Sequence, residues 1–367
     1  MLYVHIPFCH SKCAYCDFYS TPRLQQMEGW VEAALAEYED RCPEGFVPDT
    51  VYLGGGTPSI LPLPLLERLI AGLNIPGKVT EFTIEANPED VTTEWVEGIR
   101  RLGVNRVSMG VQSLCDDELS FIGRRHTARD AVRAYNVLRV GGVGNISLDL
   151  IYGLPGQTME SWQRSLNALI ALAPDHISAY LLSYEPRTRL GVMLAKGKVE
   201  EASEALVTEM YSYLCQATHT AGYEHYEISN FALPGRRAVH NSGYWSGRNY
   251  LGIGPGAHSW IEGVRGSTVS DLHRYIEKQG RGVFEAEEED ENNRFNDMLI
   301  TSLRTSAGID PSEVEQWFSG PIAAEFRKIL PQIIADGDLV ATPSGRLAIP
   351  ESRWLMSNQI ILKMIIV

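Results

Sequence analysis

The first 185 residues alternate short, β-branched apolar runs with longer amphipathic stretches, and few folds accept that order. Runs that read as strands are Leu2–Phe8, Thr50–Gly54, Glu81–Glu85, Val104–Val111, Ser147–Ile151 and His176–Leu182. Helical spacing fills the intervals at Met27–Arg41, Pro64–Leu73, Glu94–Leu102, Ala128–Val140 and Ser161–Leu172. Strand, helix and strand in series close a parallel pair through a right-handed crossover. Six such strands predict an α/β architecture, an open or partial (β/α)6 TIM-like barrel. Unusual residues gather at the carboxyl ends of these runs: a cysteine loop after the first, Gly54-Gly-Gly-Thr-Pro58 after the second, Glu85-Ala-Asn-Pro88 at the third, Gln112 at the fourth, Asp149 and Tyr152-Gly-Leu-Pro-Gly-Gln157 at the fifth, and Ser183-Tyr-Glu-Pro186 at the sixth. A parallel barrel builds its site on that rim.

The pattern changes after residue 200. Glu200–Ala221 reads as one long helix, Tyr223–Phe231 as a short β stretch, and His240–Trp260 as an aromatic, glycine-rich segment. Like charges in the acidic run Glu285–Glu291 repel and stay solvated, which marks a boundary. Residues 1–260 are therefore expected to form the barrel core with its extension, 261–291 a linker, and 292–367 a small, mostly helical, winged-helix-like domain with a hairpin at Asp338–Ala341 and Arg346–Ile349. The tail Ile360–Val367 is apolar but too short to cross a bilayer, so core or subunit contact is expected, with a transient membrane encounter left open.

Cys9, Cys13 and Cys16 stand in the spacing C-x3-C-x2-C. Three soft thiolates on one short loop can close on a cubane iron–sulfur cluster, a [4Fe-4S] centre usually held by four cysteines, and leave one iron open. Zinc is the competing reading: Cys13 and Cys16 form one C-x2-C pair and His10 could assist, but no second pair follows downstream. The other cysteines, Cys42, Cys115 and Cys215, are scattered, which argues against a disulfide framework and for the reducing cytoplasm. A net charge of −14 disfavours non-specific nucleic-acid binding.

The cysteine spacing, Tyr15 before the last cysteine, and the GGGTP run together resemble the radical S-adenosylmethionine (SAM) superfamily, and within it the oxygen-independent coproporphyrinogen III oxidase group. The likeness runs from Tyr3 to about Trp260. It implies a barrel of that superfamily's type, with the cluster on the three cysteines and SAM chelated at the open iron. It further implies that Tyr3, Tyr15, Gly54, Gly55, Gly56, Thr57, Glu85, Gln112, Arg124, Asp149 and Ser183 line the cofactor site, with Gly256-Ala257 as a further placement.

Two departures from the oxidase direct the reading toward the heme-chaperone branch of the group. Phe18 stands where the oxidase has a further cysteine, and the chain starts at its first strand without the oxidase's amino-terminal extension. His240-Asn-Ser-Gly-Tyr-Trp245 matches that branch's H-N-x-x-Y-W motif. The resemblance therefore implies heme as a further ligand, His240 as a candidate axial contact with His258 second, and an apo-hemoprotein as acceptor. Oxidative decarboxylation of coproporphyrinogen III is the alternative activity.

Overall fold

The computed structural model describes residues 1–288, 290–318 and 320–366, so Glu289 of the acidic run and Val367 of the tail lie outside the described residues. The chain runs β1 (Leu2–Ile6), α1 (Met27–Arg41), β2 (Thr50–Gly55), α2 (Leu63–Gly72), β3 (Glu81–Ala86), α3 (Thr93–Arg101), β4 (Arg106–Gln112), α4 (Asp116–Phe121), α5 (Ala128–Val140), β5 (Asn145–Tyr152), α6 (Met159–Ala171) and β6 (His176–Leu181). These six strands are parallel and lie side by side in chain order. They form the expected (β/α)6 partial barrel, and α1 and α5 occupy the spans read from their spacing.

Two strand ends differ from the sequence reading for local reasons. β1 stops at Ile6 because Pro7 has no N–H to give a ladder, and Phe8 makes only a single bridge to Thr21. β4 starts at Arg106 because Val104 still closes the end of α3, donating to the Ile99 carbonyl across Gly103.

Beyond the sixth strand come α7 (Arg189–Ala195), α8 (Glu204–Thr220), β7 (Glu224–Glu227), β8 (Asn230–Ala232), α9 (Val239–Trp245) and β9 (Leu251–Ile253). β8 pairs antiparallel with β6, and β9 pairs parallel with β1, so both edges of the six strands are covered. The H-N-S-G-Y-W segment is helical: the Glu81 carboxylate accepts from the Val239 and His240 N–H groups and caps the start of α9.

The segment 261–291, expected as a linker, overlaps an ordered unit that runs from His258 to Ala286. β10 (His258–Ile261), β11 (Val264–Thr268), α10 (Leu272–Glu277) and β12 (Phe284–Ala286) build a three-stranded antiparallel sheet with one helix. It is tied to the barrel through Glu37, which accepts from Thr268, Tyr275 and the Gly254 N–H.

The last region holds α11 (Glu291–Ser302), α12 (Pro311–Trp317), α13 (Gly320–Ala335), the hairpin β13 (Val340–Ala341) with β14 (Leu347–Ala348), a 3₁₀ turn at Glu351–Met356, and α14 (Ser357–Leu362). Ile360, Ile361 and Met364 of the apolar tail are buried in the main core. No helix among the described residues is long and apolar enough to cross a membrane.

Candidate cluster and cofactor site

Strand side chains alternate between two faces. Leu2, Val4, Ile6, Val51, Leu53, Phe82 and Ile84 face the helices and form the core. The alternate positions are polar and fill the lumen: Tyr3 and His5 from β1, Tyr52 from β2, Glu85 from β3, Arg106 and Ser108 from β4, Ser147 and Asp149 from β5, His176 and Ser178 from β6.

These groups satisfy one another. Tyr3 Oη lies 3.0 Å from His5 Nδ1, and His5 Nε2 lies 2.9 Å from the Tyr19 carbonyl. Tyr52 Oη donates to Glu85 Oε1 at 2.8 Å, while the Gly55 N–H donates to Oε2 at 3.1 Å. Ser108 donates to both Asp149 oxygens at 3.3 Å, and Ser147 Oγ lies 2.8 Å from His176 Nδ1. Arg106, 2% exposed, is a buried cation whose charge lowers the pKa of both Glu85 and Asp149. Burial outweighs it at each: Glu85 is pushed up to about 7, and Asp149 is also raised.

The cysteine loop rises from the end of β1. Cys9 N–H donates to the Thr21 carbonyl at 3.1 Å and Thr21 N–H to the Pro7 carbonyl at 2.7 Å, which pinches its base. Its tip is held by Ala14, whose N–H donates to the Ile122 carbonyl at 2.9 Å and whose carbonyl accepts from Leu190 N–H at 2.8 Å. A small apolar patch of Ala14, Ile122, Ile151, Leu154, Leu182 and Leu190, with Tyr15 against it, seats the tip on the ends of β5 and β6.

The thiols join a network with the neighbouring strand ends. Cys9 Sγ lies 3.2 Å from Thr57 Oγ1, and Asn87 Nδ2 donates to the same oxygen at 3.3 Å. Arg124 donates to Cys13 Sγ at 3.6 Å, to Asn87 Oδ1 at 2.7 Å and to the Gly110 carbonyl at 2.6 Å. Gln112 has φ of 66°, a strained setting for a residue with a side chain, and its amide lies over Gly110. A cleft lined by His10, Cys13, Thr57, Asn87, Glu89 and Arg124 opens at this point.

The donor set fits an iron–sulfur cluster. Three thiols share one loop, and burial pushes the Cys9 thiol up and the Cys16 thiol to about 11. Without a cation these two stay protonated at neutral pH, and iron would displace their protons. Beside the loop, Gly55 has φ of 110°, and a Cβ there would meet the His5 ring at 2.7 Å. A Cβ on Gly56 would meet the Phe8 carbonyl at 2.7 Å. Glycine is required here because the protein's own atoms fill the space a side chain would take, which packs this run tightly against β1 and the base of the cysteine loop.

The structure thus brings Cys13, Thr57 and Arg124 to one cleft, with Cys9 against Thr57, the Gln112 amide over Gly110, and Gly54 to Gly56, Tyr3, Glu85 and Asp149 at the lumen strands beside it. Ser183 stands outside this network: it is exposed and donates to Glu185 Oε1 at 2.5 Å. His240 lies at the opposite end of the strands, beside Thr50 and Glu81, the first residues of β2 and β3. It is 0% exposed, with Nδ1 at 2.9 Å from Thr50 Oγ1 and Nε2 at 2.9 Å from Tyr244 Oη. Burial lowers its pKa to about 3, so the ring is neutral and both nitrogens are occupied. An axial bond to heme iron, the contact expected from the motif, would require one of those bonds to break. His5, Tyr52, Arg106 and Asn87 were not singled out in the sequence; the signal for the first three was a polar residue at every second strand position.

Glu85 gives a pH test. Its folded pKa, about 7, lies above the ordinary value of 4.5. The unfolded chain releases this proton first, so the stability it confers is full below 4.5 and lost as pH rises through 7. The neutral histidines His5, His176 and His240 act oppositely, losing stability as pH falls below 6.5. Comparing variants isolates Glu85. In urea unfolding, the stability of Glu85→Gln relative to wild type is expected to rise by about 1–3 kcal/mol between pH 4.5 and 8. A constant offset across that range would mean Glu85 ionises normally.

A six-stranded parallel barrel with a three-cysteine loop after its first strand and a glycine cradle after its second defines a radical SAM protein. The Radical SAM superfamily profile matches residues 3–169. The heme chaperone HemW of Bacillus subtilis is 32% identical over 368 residues, covering 98% of this chain and 97% of that protein. HemW of Lactococcus lactis is 37% identical over 278 residues, 75% and 73% of the two chains, and bovine radical S-adenosyl methionine domain-containing protein 1, mitochondrial, is 34% identical over 339 residues, 86% and 75%. Among solved structures, coproporphyrinogen III oxidase (HemN) of Escherichia coli shares the fold, with a TM-score of 0.84 and 24% identity over 99% of this chain and 89% of that one. The chain belongs to the HemW family of the radical SAM superfamily.

Proposed function

We propose that this protein is a cytosolic heme carrier that holds a [4Fe-4S] cluster and SAM, binds heme and delivers it to an apo-hemoprotein. Likeness to HemW over 98% of the chain supports the reading most directly. Cys9, Cys13 and Cys16 would hold the cluster, whose bound, reduced form supplies an electron to the SAM sulfonium. The bare backbone of Gly54 to Gly56 would lie along the methionine portion, with Thr57 and Tyr15 beside the thiols. Glu85, Asp149 and Gln112 would accept from ammonium or ribose hydroxyl groups. Arg124 would hold the Cys13 sulfur and the end of β4 in register, and Ser183 would contact ligand from the rim.

An accessible imidazole is one standard axial ligand for heme iron, and the macrocycle needs an apolar face to lie on. Phe18, two residues beyond Cys16, is 70% exposed. His258 is exposed at the start of β10, and its charge, after burial as the main cause, helps lower the pKa of His5 inside the barrel mouth. His258 rather than His240 is therefore the proposed axial contact. Hemin titrated into the anaerobically reconstituted protein should shift the Soret band with one equivalent, and His258→Ala should weaken binding by about tenfold or more. Unchanged binding in His258→Ala, with loss in a folded His240→Gln, would return the role to His240. Decarboxylated product from coproporphyrinogen III, with no hemin binding, would favour the oxidase activity instead.

A further inference from the structure

Far along the chain from the cysteine loop, a second set of side chains carries metal-ligand chemistry. Cys215 comes from α8, His225 from β7, and Glu351 from the 3₁₀ turn after β14. One ligand atom from each lies within 4.8 Å of the other two. We propose that Cys215, His225 and Glu351 form a binding site for a zinc-class divalent cation that clips the carboxy-terminal region to the barrel.

The geometry separates a metal site from a nucleophile relay. In a relay, thiol and carboxylate address opposite nitrogens of the imidazole. Here both converge on one: Cys215 Sγ lies 3.8 Å and Glu351 Oε1 2.6 Å from His225 Nδ1. Nε2 is buried with no hydrogen-bond partner. Three donors facing one point suit a tetrahedral ion, which would replace the present bond between His225 and Glu351.

The site is held in shape by packing. The His225 ring stacks on Phe231 with centroids 4.0 Å apart, and the Trp354 ring abuts it at 4.2 Å, edge on. Trp354 belongs to the same turn as Glu351, so the contact that fixes the imidazole also delivers the carboxylate. One thiolate, one imidazole and one carboxylate suit zinc, with water or another side chain completing four. His219 is available for that place: it lies one helical turn beyond Cys215, is exposed, and its charge reaches Glu351.

Burial, followed by the charge of Glu351, pushes the Cys215 thiol up to about 12. It is therefore a poor nucleophile as it stands, and a bound cation would expel its proton to solvent. A metal bond here would join residues 215 and 225 to residue 351 across a long stretch of chain, closing a large loop.

The test uses protein with its cluster already assembled, so that the loop thiols are occupied. Dialysis against Zn²⁺ should leave one zinc per chain, and the zinc X-ray absorption edge should report one sulfur at about 2.3 Å with nitrogen and oxygen neighbours at about 2.0–2.1 Å. The solvent-facing Glu351→Gln should lower zinc affinity about tenfold without loss of iron, and Cys215→Ser with His225→Gln should abolish retention. Zinc should also raise the melting temperature of wild type and not of the double variant. Absence of stoichiometric zinc, a shell of three sulfurs, or full retention in the double variant would each overturn the proposal.

Discussion

Gly56→Ala should leave a protein that folds poorly around its cysteine loop and assembles about a tenth of the normal iron. The added methyl would sit 2.7 Å from the Phe8 carbonyl oxygen and 2.9 Å from both the Ile6 carbonyl oxygen and the Phe8 nitrogen. All three are backbone atoms, so no side chain can swing aside. The chain must shift where Gly56 N–H donates to the Ile6 carbonyl at 2.8 Å, directly before Cys9. Overpacking of this kind costs about 1–3 kcal/mol, and here the strain falls on the loop that must place three thiols together. Gly144→Ala is the control, since a methyl added there would have nothing within 4 Å. Iron and sulfide counts after anaerobic reconstitution, with urea unfolding of the apo chains, make the comparison. A full iron complement in Gly56→Ala would show that the backbone contact between β1 and the glycine run is not what positions the loop.

The barrel was legible because its outward strand positions carry a plain signal. Val4, Ile84, Val107 and Leu148 are all 0% exposed, and each sits between polar neighbours in a short apolar run. The cysteine loop and glycine run were legible because their spacing has few other uses. The inward face was harder. Glu85 and Asp149 stood out as acids at strand ends, whereas His5, Tyr52 and Arg106 looked like ordinary polar members of a strand until the closing sheet aimed them at one another. His240 shows the opposite difficulty: its motif is plain in the sequence, but the cap provided by Glu81 and the bond to Thr50 depend on residues about 160 and 190 positions away, which no local pattern carries. The small sheet between His258 and Ala286 is not legible in the sequence because its strands are three to five residues long and partly exposed.

Arg106→Met should be the most destabilising single change in the lumen, by about 3–5 kcal/mol at pH 8. The guanidinium is 2% exposed, and methionine fills much of its volume, so the loss is mainly of charge. Two buried carboxyl groups depend on that charge: it lowers the pKa of Glu85, otherwise raised by burial, and it does the same for Asp149. Removing it raises both folded values further above their unfolded ones, a penalty that is absent in acid and full only above the new folded values. The same cation depresses the buried His176 and His240, so its loss lets them accept protons more readily below pH 6.5. All four effects share a sign: the deficit of Arg106→Met relative to wild type should shrink as pH falls from 8 to 5.5. Urea unfolding at the two pH values reads this directly. Equal deficits would mean that Arg106 acts through packing, and that the lumen carboxyl groups titrate alike with and without it; a larger deficit in acid would contradict the electrostatic account of the barrel interior altogether.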